Sequence, residues 1–215
     1  MSSLSKIALL CIGLLTSCGQ RTVSQPSRLT EEELTRLDAA FERLDRVLES
    51  NAPNIHKQLH PGSTEEDLDR LRICLSGNQV ECLEKWFSWH NGSSEEILPA
   101  GLPISVARSV EDQRISETLP FVPPVRQNSV KILDNSAGDG FFMDVNSETP
   151  LVFHHMLEDP ENPIWFGTLP EFIDFIATGF ESGILFEDEE GNFDFDEAKY
   201  EELMTKHLQR ATGWN

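Results

Sequence analysis

The stretch VKILDNSAGDGFFMDVNSETPLVFH, residues 130–154, is the most informative part of the sequence about the fold, because it contains three short apolar runs separated by turn residues. Residues 130–132 alternate between apolar and polar side chains, residues 141–145 form a compact apolar run, and residues 151–154 follow a five-residue turn. Branched and aromatic residues in such runs are typical of strands, and short turns connect antiparallel neighbours. The sequence therefore predicts an antiparallel meander in the second half of the chain.

Two amphipathic helices are predicted well before this meander. The first begins at a capping box, Thr30 with Glu33, and should end near residues 51–53, which read Asn-Ala-Pro. The second begins at a similar box, Ser63 with Glu66. Apolar residues follow each box at three- and four-residue intervals, as on the buried face of a helix. They are Leu34, Leu37, Phe41, Leu44 and Leu48 in the first helix and Leu68, Leu71 and Leu75 in the second.

A third helix is predicted from about residue 80 to residue 90, after the second has ended around Gly77. Its apolar face carries Leu83, Trp86 and Phe87, and the Asn-Gly pair that follows supplies the left-handed residue that ends a helix. Beyond it, repeated prolines break helices, so we expect strands and loops up to the end of the meander.

Another helix follows the meander, beginning at a capping box of Thr168 with Glu171 and ending at Gly183. The residues expected to pack it on the sheet are Phe172, Ile173, Phe175, Ile176 and Phe180. A hairpin and one terminal helix complete the chain. This order predicts an α+β fold, in which N-terminal helices pack on a mostly antiparallel sheet that is followed by C-terminal helices.

The first eighteen residues have the pattern of a secretion signal. Lys6 precedes a nine-residue apolar run, residues 7–15, which is too short to cross a bilayer. Residues 15–18, Leu-Thr-Ser-Cys, resemble the bacterial lipobox, in which the cysteine takes a diacylglycerol and becomes the new N-terminus. We predict a signal peptide at residues 1–17, lipid attachment at Cys18, a flexible tether at residues 18–29 and a folded domain at residues 30–215. The implied location is the bacterial cell envelope, with the domain outside the cytoplasm.

The chain is strongly acidic, with 37 aspartates and glutamates against 17 lysines and arginines and a formal net charge of -20. Such a surface repels the phosphates of nucleic acids, so we expect no direct nucleic-acid binding. It would speed the encounter with a basic protein, although solubility alone also explains acidic composition. A protein partner is therefore the expected ligand class.

After removal of the signal peptide, Cys74 and Cys82 are the only thiols besides Cys18. An exported domain meets oxidising conditions, in which two cysteines eight residues apart can form a disulfide. Cysteine is also among the residues most often buried as small core side chains. Both alternatives, a bridge and a pair of core thiols, are open from the sequence.

Several phrases of the chain resemble the Smi1/Knr4 family, also called the SUKH superfamily, from about Leu48 to the C-terminus. The phrases are LESNAP at residues 48–53 with LHPGSTEE at 59–66, LEKWFSWHNG at 83–92, VKIL at 130–133 with GDGFFMDV at 138–145, and the aromatic and helical segment at 165–176. In the third phrase Asp144 matches the family's closing aspartate.

The resemblance implies a SUKH-like α+β domain that binds proteins and has no known catalytic chemistry. It also implies use as a bacterial immunity protein, which neutralises a secreted toxin domain. A regulator or scaffold of cell-wall synthesis in the envelope is the alternative, by analogy with fungal members of the family. We accordingly expect no enzyme activity and no cofactor.

Candidate sites of chemistry are few. His154 and His155 are adjacent in a predicted strand, so their side chains point to opposite faces and cannot easily bind one metal ion. Residues 188–196, DEEGNFDFD, lack the glycine and glutamate positions of a calcium loop and predict a solvated hairpin. No nucleophile elbow, phosphate-binding loop or zinc-protease motif occurs in the sequence. We therefore predict no metal site.

The candidate partner-binding residues lie at two glycine bends and near them. An aromatic side chain beside a bend is a common anchor of a recognition surface, but core packing explains such residues as well. The candidates are Trp89, Asn91, Gly92, Gly138, Asp139 and Asp144.

Overall fold

A computed structural model of the protein describes residues 29–75, 81–118, 129–135, 137–145, 149–159 and 163–212. The predicted signal peptide, the lipid site at Cys18 and the helix end at Gly77 lie outside these residues. Leu29, assigned to the tether, belongs to the folded part, because it packs on the core and its backbone N–H donates to Glu81.

Four helices form the N-terminal part of the fold. The first carries the predicted capping box, in which the Thr30 side chain and the Glu33 side chain satisfy each other's backbone N–H groups. The second predicted box is one residue late in the structure, where Thr64 pairs with Asp67 instead of Ser63 with Glu66. The shift preserves the buried face of that helix. The helices are α1 (Glu31–Asn51), α2 (Pro53–Gln58), α3 (Glu65–Cys74) and α4 (Glu81–Trp89).

The predicted meander is present and is part of a five-stranded sheet in which the strands follow chain order and every described pairing is antiparallel. Gly140 is the first residue of the middle strand. Glycine is needed at this position because a side chain there would meet the carbonyl oxygen of Leu133 on the neighbouring strand. The strands are β1 (Leu102–Pro103), β2 (Ser129–Asp134), β3 (Gly140–Asp144), β4 (Leu151–His155) and β5 (Ile164–Thr168).

One helix lies where strands and loops were predicted. This helix, α5 (Val106–Thr118), occupies the proline-free interval between Pro103 and Pro120. Val106 and Val110 are its buried apolar side chains, so the helical period in the sequence is weak. The Asn91 side chain accepts a hydrogen bond from the Val106 N–H at 2.8 Å, which supplies a cap from another part of the chain.

The C-terminal part agrees with the sequence. The capping box of Thr168 with Glu171 is formed, the five apolar residues predicted to face the sheet are all buried, and Gly183 ends the helix with φ of +65°. The elements are α6 (Leu169–Glu181), β6 (Leu185–Glu187), β7 (Phe193–Phe195) and α7 (Glu197–Thr212).

A single cluster of buried apolar residues joins the N-terminal helices, the sheet and α6. Trp86 from α4 and Phe172 from α6 approach with ring centroids 6.4 Å apart, and Phe172 also contacts Phe141 of β3 and Phe166 of β5. Each such aromatic side chain contributes about 1.5–3 kcal/mol through burial. The protein is therefore an α+β fold in which α6 lies between α1 and the sheet.

Candidate functional site

Trp89 is held by the protein itself at the end of α4. Its ring stacks on Phe41 with centroids 5.3 Å apart, and its indole N–H donates to the Asp45 carboxylate at 2.9 Å. The side chain is half-buried and packs against the core. These contacts favour a structural role for the ring, and its role in partner binding stays a prediction.

Asn91 and Gly92 connect α4 to the loops that follow. Asn91 caps α5 through its side chain, and its backbone N–H donates to the Pro61 carbonyl at 3.2 Å. Gly92 is buried with φ of +100°, and its carbonyl accepts from His60 at 2.9 Å. Only glycine adopts such a backbone at low cost, so the structure gives both residues a conformational role.

The second glycine bend, residues 137–139, lies before β3. Gly138 has φ of +108°, and Asp139 accepts hydrogen bonds from the Leu157 N–H at 2.7 Å and from the Asn135 amide at 2.9 Å. These bonds lower the pKa of the Asp139 carboxyl, the one from Leu157 most strongly. Asp144 lies at the opposite end of β3, about 13 Å away along a strand of that length. The bend and Asp144 thus do not form one compact site.

Cys74 and Cys82 are not joined by a disulfide. Cys82 is buried at 4% exposure, and burial raises the pKa of its thiol to about 12. A thiol with such a pKa is almost fully protonated near neutral pH and is a poor nucleophile and metal ligand. The structure therefore favours the core alternative for Cys82.

The two adjacent histidines of β4 have separate surroundings. His154 stacks on Phe141 with centroids 4.5 Å apart, whereas His155 is buried and meets the edge of Phe142. Burial lowers the pKa of both imidazoles. Each ring packs against its own aromatic neighbour, as expected for side chains that alternate across a strand.

A hydroxyl and an imidazole approach each other at one exposed place, where Ser94 Oγ lies 3.3 Å from His60 Nε2. A nucleophile and its base are usually within about 2.6–3.2 Å, and a third group orients the base. Among the described side chains, no carboxylate forms an ion pair or hydrogen bond with His60. The described residues therefore provide no carboxylate that orients the His60 imidazole.

Three side chains that the sequence did not bring together form a cluster at the surface. Asp45 of α1, His56 of α2 and His90 after α4 each offer one ligand atom, and these atoms all lie within 4.8 Å of one another. Asp45 Oδ1 is 3.5 Å from His56 Nε2 and 3.6 Å from His90 Nε2. The prediction of no metal site rested on the adjacent histidines of β4, on residues 188–196 and on the absence of a zinc-protease motif, and it did not consider this group.

Two hydrogen bonds orient the cluster from outside. Trp89 donates to Asp45 Oδ1, and His90 Nδ1 lies 2.6 Å from the backbone carbonyl oxygen of His60. Burial raises the pKa of the Asp45 carboxyl, but the interactions with His90 and Trp89 and the charge of His56 lower it by more, so its pKa lies below the usual value. The carboxylate is therefore charged at neutral pH.

Sequence spacing carries little signal of this cluster. Asp45 and His56 are 11 residues apart and His90 follows 34 residues later, which matches no short metal-binding motif. The turn from α1 into α2 at Ala52 and the return of α4 bring them together. His90 was the one member of the cluster that lies in a segment singled out from the sequence, residues 83–92.

A second surface feature is charge. Residues 187–202, the hairpin of β6 and β7 with the first turns of α7, contain nine acidic residues and one basic residue, Lys199. We name this segment the C-terminal acidic surface. The strands of the five-stranded sheet, in contrast, contain two acidic residues, Asp134 and Asp144. The acids of the segment are Glu187, Asp188, Glu189, Glu190, Asp194, Asp196, Glu197, Glu201 and Glu202.

No protein-family model matches the chain, and no curated protein matches it either. Within the residues that the structure covers, no helix has the length and apolar character needed to cross a membrane.

Proposed function

We propose that this protein is a non-catalytic protein-binding module that is anchored to a membrane through a lipid at Cys18. In this proposal it is an immunity protein, which binds and neutralises a toxin domain whose surface is basic. The proposal joins the lipobox-like N-terminus, the resemblance of the phrases above to Smi1/Knr4 proteins, and the distribution of charge on the fold.

The C-terminal acidic surface is the observation that carries the proposal. Six of its nine acids are exposed, and Glu189, Glu190, Asp194, Glu197 and Glu201 form no ion pair with any described lysine or arginine. These five like charges repel one another, so they do not stabilise the fold by ion pairing. Glu187 and Asp188 of the same surface have structural hydrogen bonds, to Asn54 of α2 and within the turn. A basic partner would relieve this repulsion and would be attracted from a distance.

The position of the surface suits contact with a second protein. Exposed acids lie on both sides of the turn at residues 188–192, where Asp188 accepts hydrogen bonds from the backbone of Glu190 and Asn192. These bonds fix the turn, so little conformational entropy is lost when a partner binds there. A rigid acidic hairpin is complementary in charge to a basic protein surface.

The first test is cross-linking of the tagged chain in its native cell envelope, followed by mass spectrometry of whatever is captured in near-equal amount. Sedimentation of the wild type with membranes and release of the Cys18→Ala variant would support the anchor. Capture of a small basic toxin domain would support immunity. Capture of wall-synthesis enzymes would favour an envelope scaffold or regulator instead, and capture of no stoichiometric protein would overturn the binding role.

A charge variant identifies the surface used. Neutralising Glu189, Glu190 and Glu201 to glutamine should weaken binding of the captured basic partner by on the order of 10-fold at low salt, because three attractive charges are lost. The control removes the same charge elsewhere, with Glu42, Glu49 and Glu66 changed to glutamine. Equal effects of the two variants would show that the partner responds only to net charge.

A further inference from the structure

We propose that Asp45, His56 and His90 form a binding site for a divalent cation of the zinc class. The site is independent of the C-terminal acidic surface and of the partner proposed above. Its ligands come from three helical elements, so that a bound ion would connect α1, α2 and the end of α4.

The distances within the cluster favour a shared ion over simple hydrogen bonds. Charge-assisted hydrogen bonds between an imidazolium and a carboxylate are about 2.7–2.9 Å long, whereas the Asp45 oxygen is 3.5 and 3.6 Å from the two imidazole nitrogens. Bonds of about 2.0–2.1 Å to a tetrahedral zinc ion place neighbouring ligand atoms about 3.3 Å apart. The two separations between Asp45 and the imidazoles are within a few tenths of an ångström of that geometry, and the two imidazole nitrogens lie within 4.8 Å of each other.

The tautomer of His90 leaves the correct nitrogen for a metal. A carbonyl oxygen can only accept a hydrogen bond, so the 2.6 Å contact with His60 requires the proton of the neutral ring to be on Nδ1. Nε2 then carries the lone pair and faces the Asp45 carboxylate. Two electron-rich atoms that face each other are stabilised by a cation between them.

Both anchoring bonds belong to the type that surrounds metal ligands in proteins. A ligating histidine commonly donates its other ring N–H to a carbonyl or carboxylate, and a ligating carboxylate commonly accepts a hydrogen bond of its own. His90 has the first arrangement, and Asp45 has the second through the Trp89 indole at 2.9 Å. The Trp89 bond uses one lone pair of Oδ1 and leaves the other lone pair and Oδ2 for an ion.

The cluster is accessible to solvent. It supplies three of the four ligands of a tetrahedral site. The side chains of Asp45, His56 and His90 are 42%, 30% and 18% exposed, so an ion can enter directly. Three protein ligands leave the fourth tetrahedral position to water. Two imidazoles and one carboxylate suit zinc and its transition-metal neighbours, whereas calcium and magnesium prefer ligand sets made of oxygen alone.

The test is calorimetric titration of the full chain, purified in detergent, with zinc chloride. The wild type should bind one equivalent at this site. His56→Gln, His90→Gln and Asp45→Asn should each weaken binding by at least about 100-fold, since ligand loss exceeds the about 10- to 100-fold effect of an outer hydrogen bond. His60→Gln is the matched control and should leave affinity unchanged, because only its backbone carbonyl contacts the site. Excess magnesium should not compete.

A second measurement separates the site from the cysteines and from loss of folding. Cobalt in the site should give a tetrahedral visible spectrum without the near-ultraviolet band of a cobalt–thiolate bond, and His56→Gln should abolish the spectrum while its far-ultraviolet circular dichroism stays that of the wild type. Trp89→Phe keeps an aromatic ring and removes the indole N–H bond to Asp45, so zinc affinity should fall about 10-fold. Absence of stoichiometric zinc binding, or binding unaffected by His56→Gln and Asp45→Asn, would overturn the proposal.

Discussion

The acidic residues that face Arg43 and Arg72 differ from those of the C-terminal acidic surface in what surrounds them. Arg43 of α1 donates to Asp174 and Glu181 of α6 at 2.7 Å each, and Arg72 of α3 binds Glu84 of α4 at 2.6 Å. In the C-terminal segment, the described ion pairs of acids are local ones within α7 and its cap, with Lys199 and Lys206.

This difference separates two uses of negative charge. Acids that bind an arginine from another element hold helices together, because breaking the pair leaves charges without their partner. Acids without such a partner add repulsion to the folded state and are free to meet an outside ligand. The first set belongs to the fold, and we assign the second to recognition.

The largest effect on stability is expected for Arg43→Met, which removes the bonds that join α1 to α6. The free energy of unfolding should fall by about 1 kcal/mol, because the pairs are partly exposed and form a network rather than a single contact. Urea denaturation measures this, and the difference from wild type should shrink in high salt.

Arg46→Met is the matched control for that change. Arg46 lies on the same helix, and its side chain is 67% exposed and has one ion pair among the described residues, 3.8 Å from Glu42. Its loss should therefore change the free energy of unfolding by less than about 0.5 kcal/mol. Equal effects of the two substitutions would contradict the view that the α1–α6 pairs hold the fold.

A smaller effect is expected in the pH dependence of stability. The hydrogen bond from Arg43 lowers the pKa of the Glu181 carboxyl below its usual value of 4.5. The unfolded chain therefore binds this proton at a higher pH than the folded chain. The contribution of this interaction to the free energy of unfolding is fully present above pH 4.5 and is lost as the pH falls through the lowered pKa.

Arg43→Met should restore the usual pKa of Glu181 and so flatten the acid limb of a plot of unfolding free energy against pH. Arg46→Met should keep the slope of the wild type. An unchanged acid limb in Arg43→Met would mean that Glu181 gains no protection from the guanidinium in solution.

The smallest effect is expected on the C-terminal acidic surface. Glu190→Gln with Glu201→Gln should change the free energy of unfolding by less than about 0.5 kcal/mol, and toward greater stability, because repulsion is relieved. Asp69→Asn with Glu84→Gln removes the same charge around Arg72 and should lower stability in thermal unfolding. Loss of stability in the first pair would give those acids a structural role and weaken the assignment to recognition.

Much of the fold was predictable because its signals are local. The capping boxes at Thr30 and Thr168 and the apolar intervals of α1 and α6 depend on residues within one or two turns of each other, and the structure confirms them. The α5 helix was missed because its buried apolar face is short and the prolines on either side of it favoured loops. Its local cap, in which Ser105 Oγ accepts from the Arg108 N–H at 3.3 Å, was present in the sequence, whereas the second acceptor, the Asn91 side chain 15 residues away, depends on the tertiary fold.

The candidate sites divide in the same way. The sequence identified Trp89, Asn91 and the glycine bends, and the structure shows what each holds in place, but which of them a partner contacts stays a prediction. The cluster of Asp45, His56 and His90 was not predicted from the sequence. Asp45 and His56 each resemble ordinary surface residues of a helix, and only their approach to His90 gives them a shared chemistry.

The sequence alone indicates the order of most helices, the strands of the meander, the acidic charge and the candidate lipid site, because these depend on composition and on spacing along the chain. Which acids meet a cationic partner, and which imidazoles face a carboxylate, depends on the folded structure. Electrostatic and coordination energies vary with distance over a few ångströms, and residues far apart in the chain reach such distances only when the apolar faces of α1, α4 and α6 pack into one core.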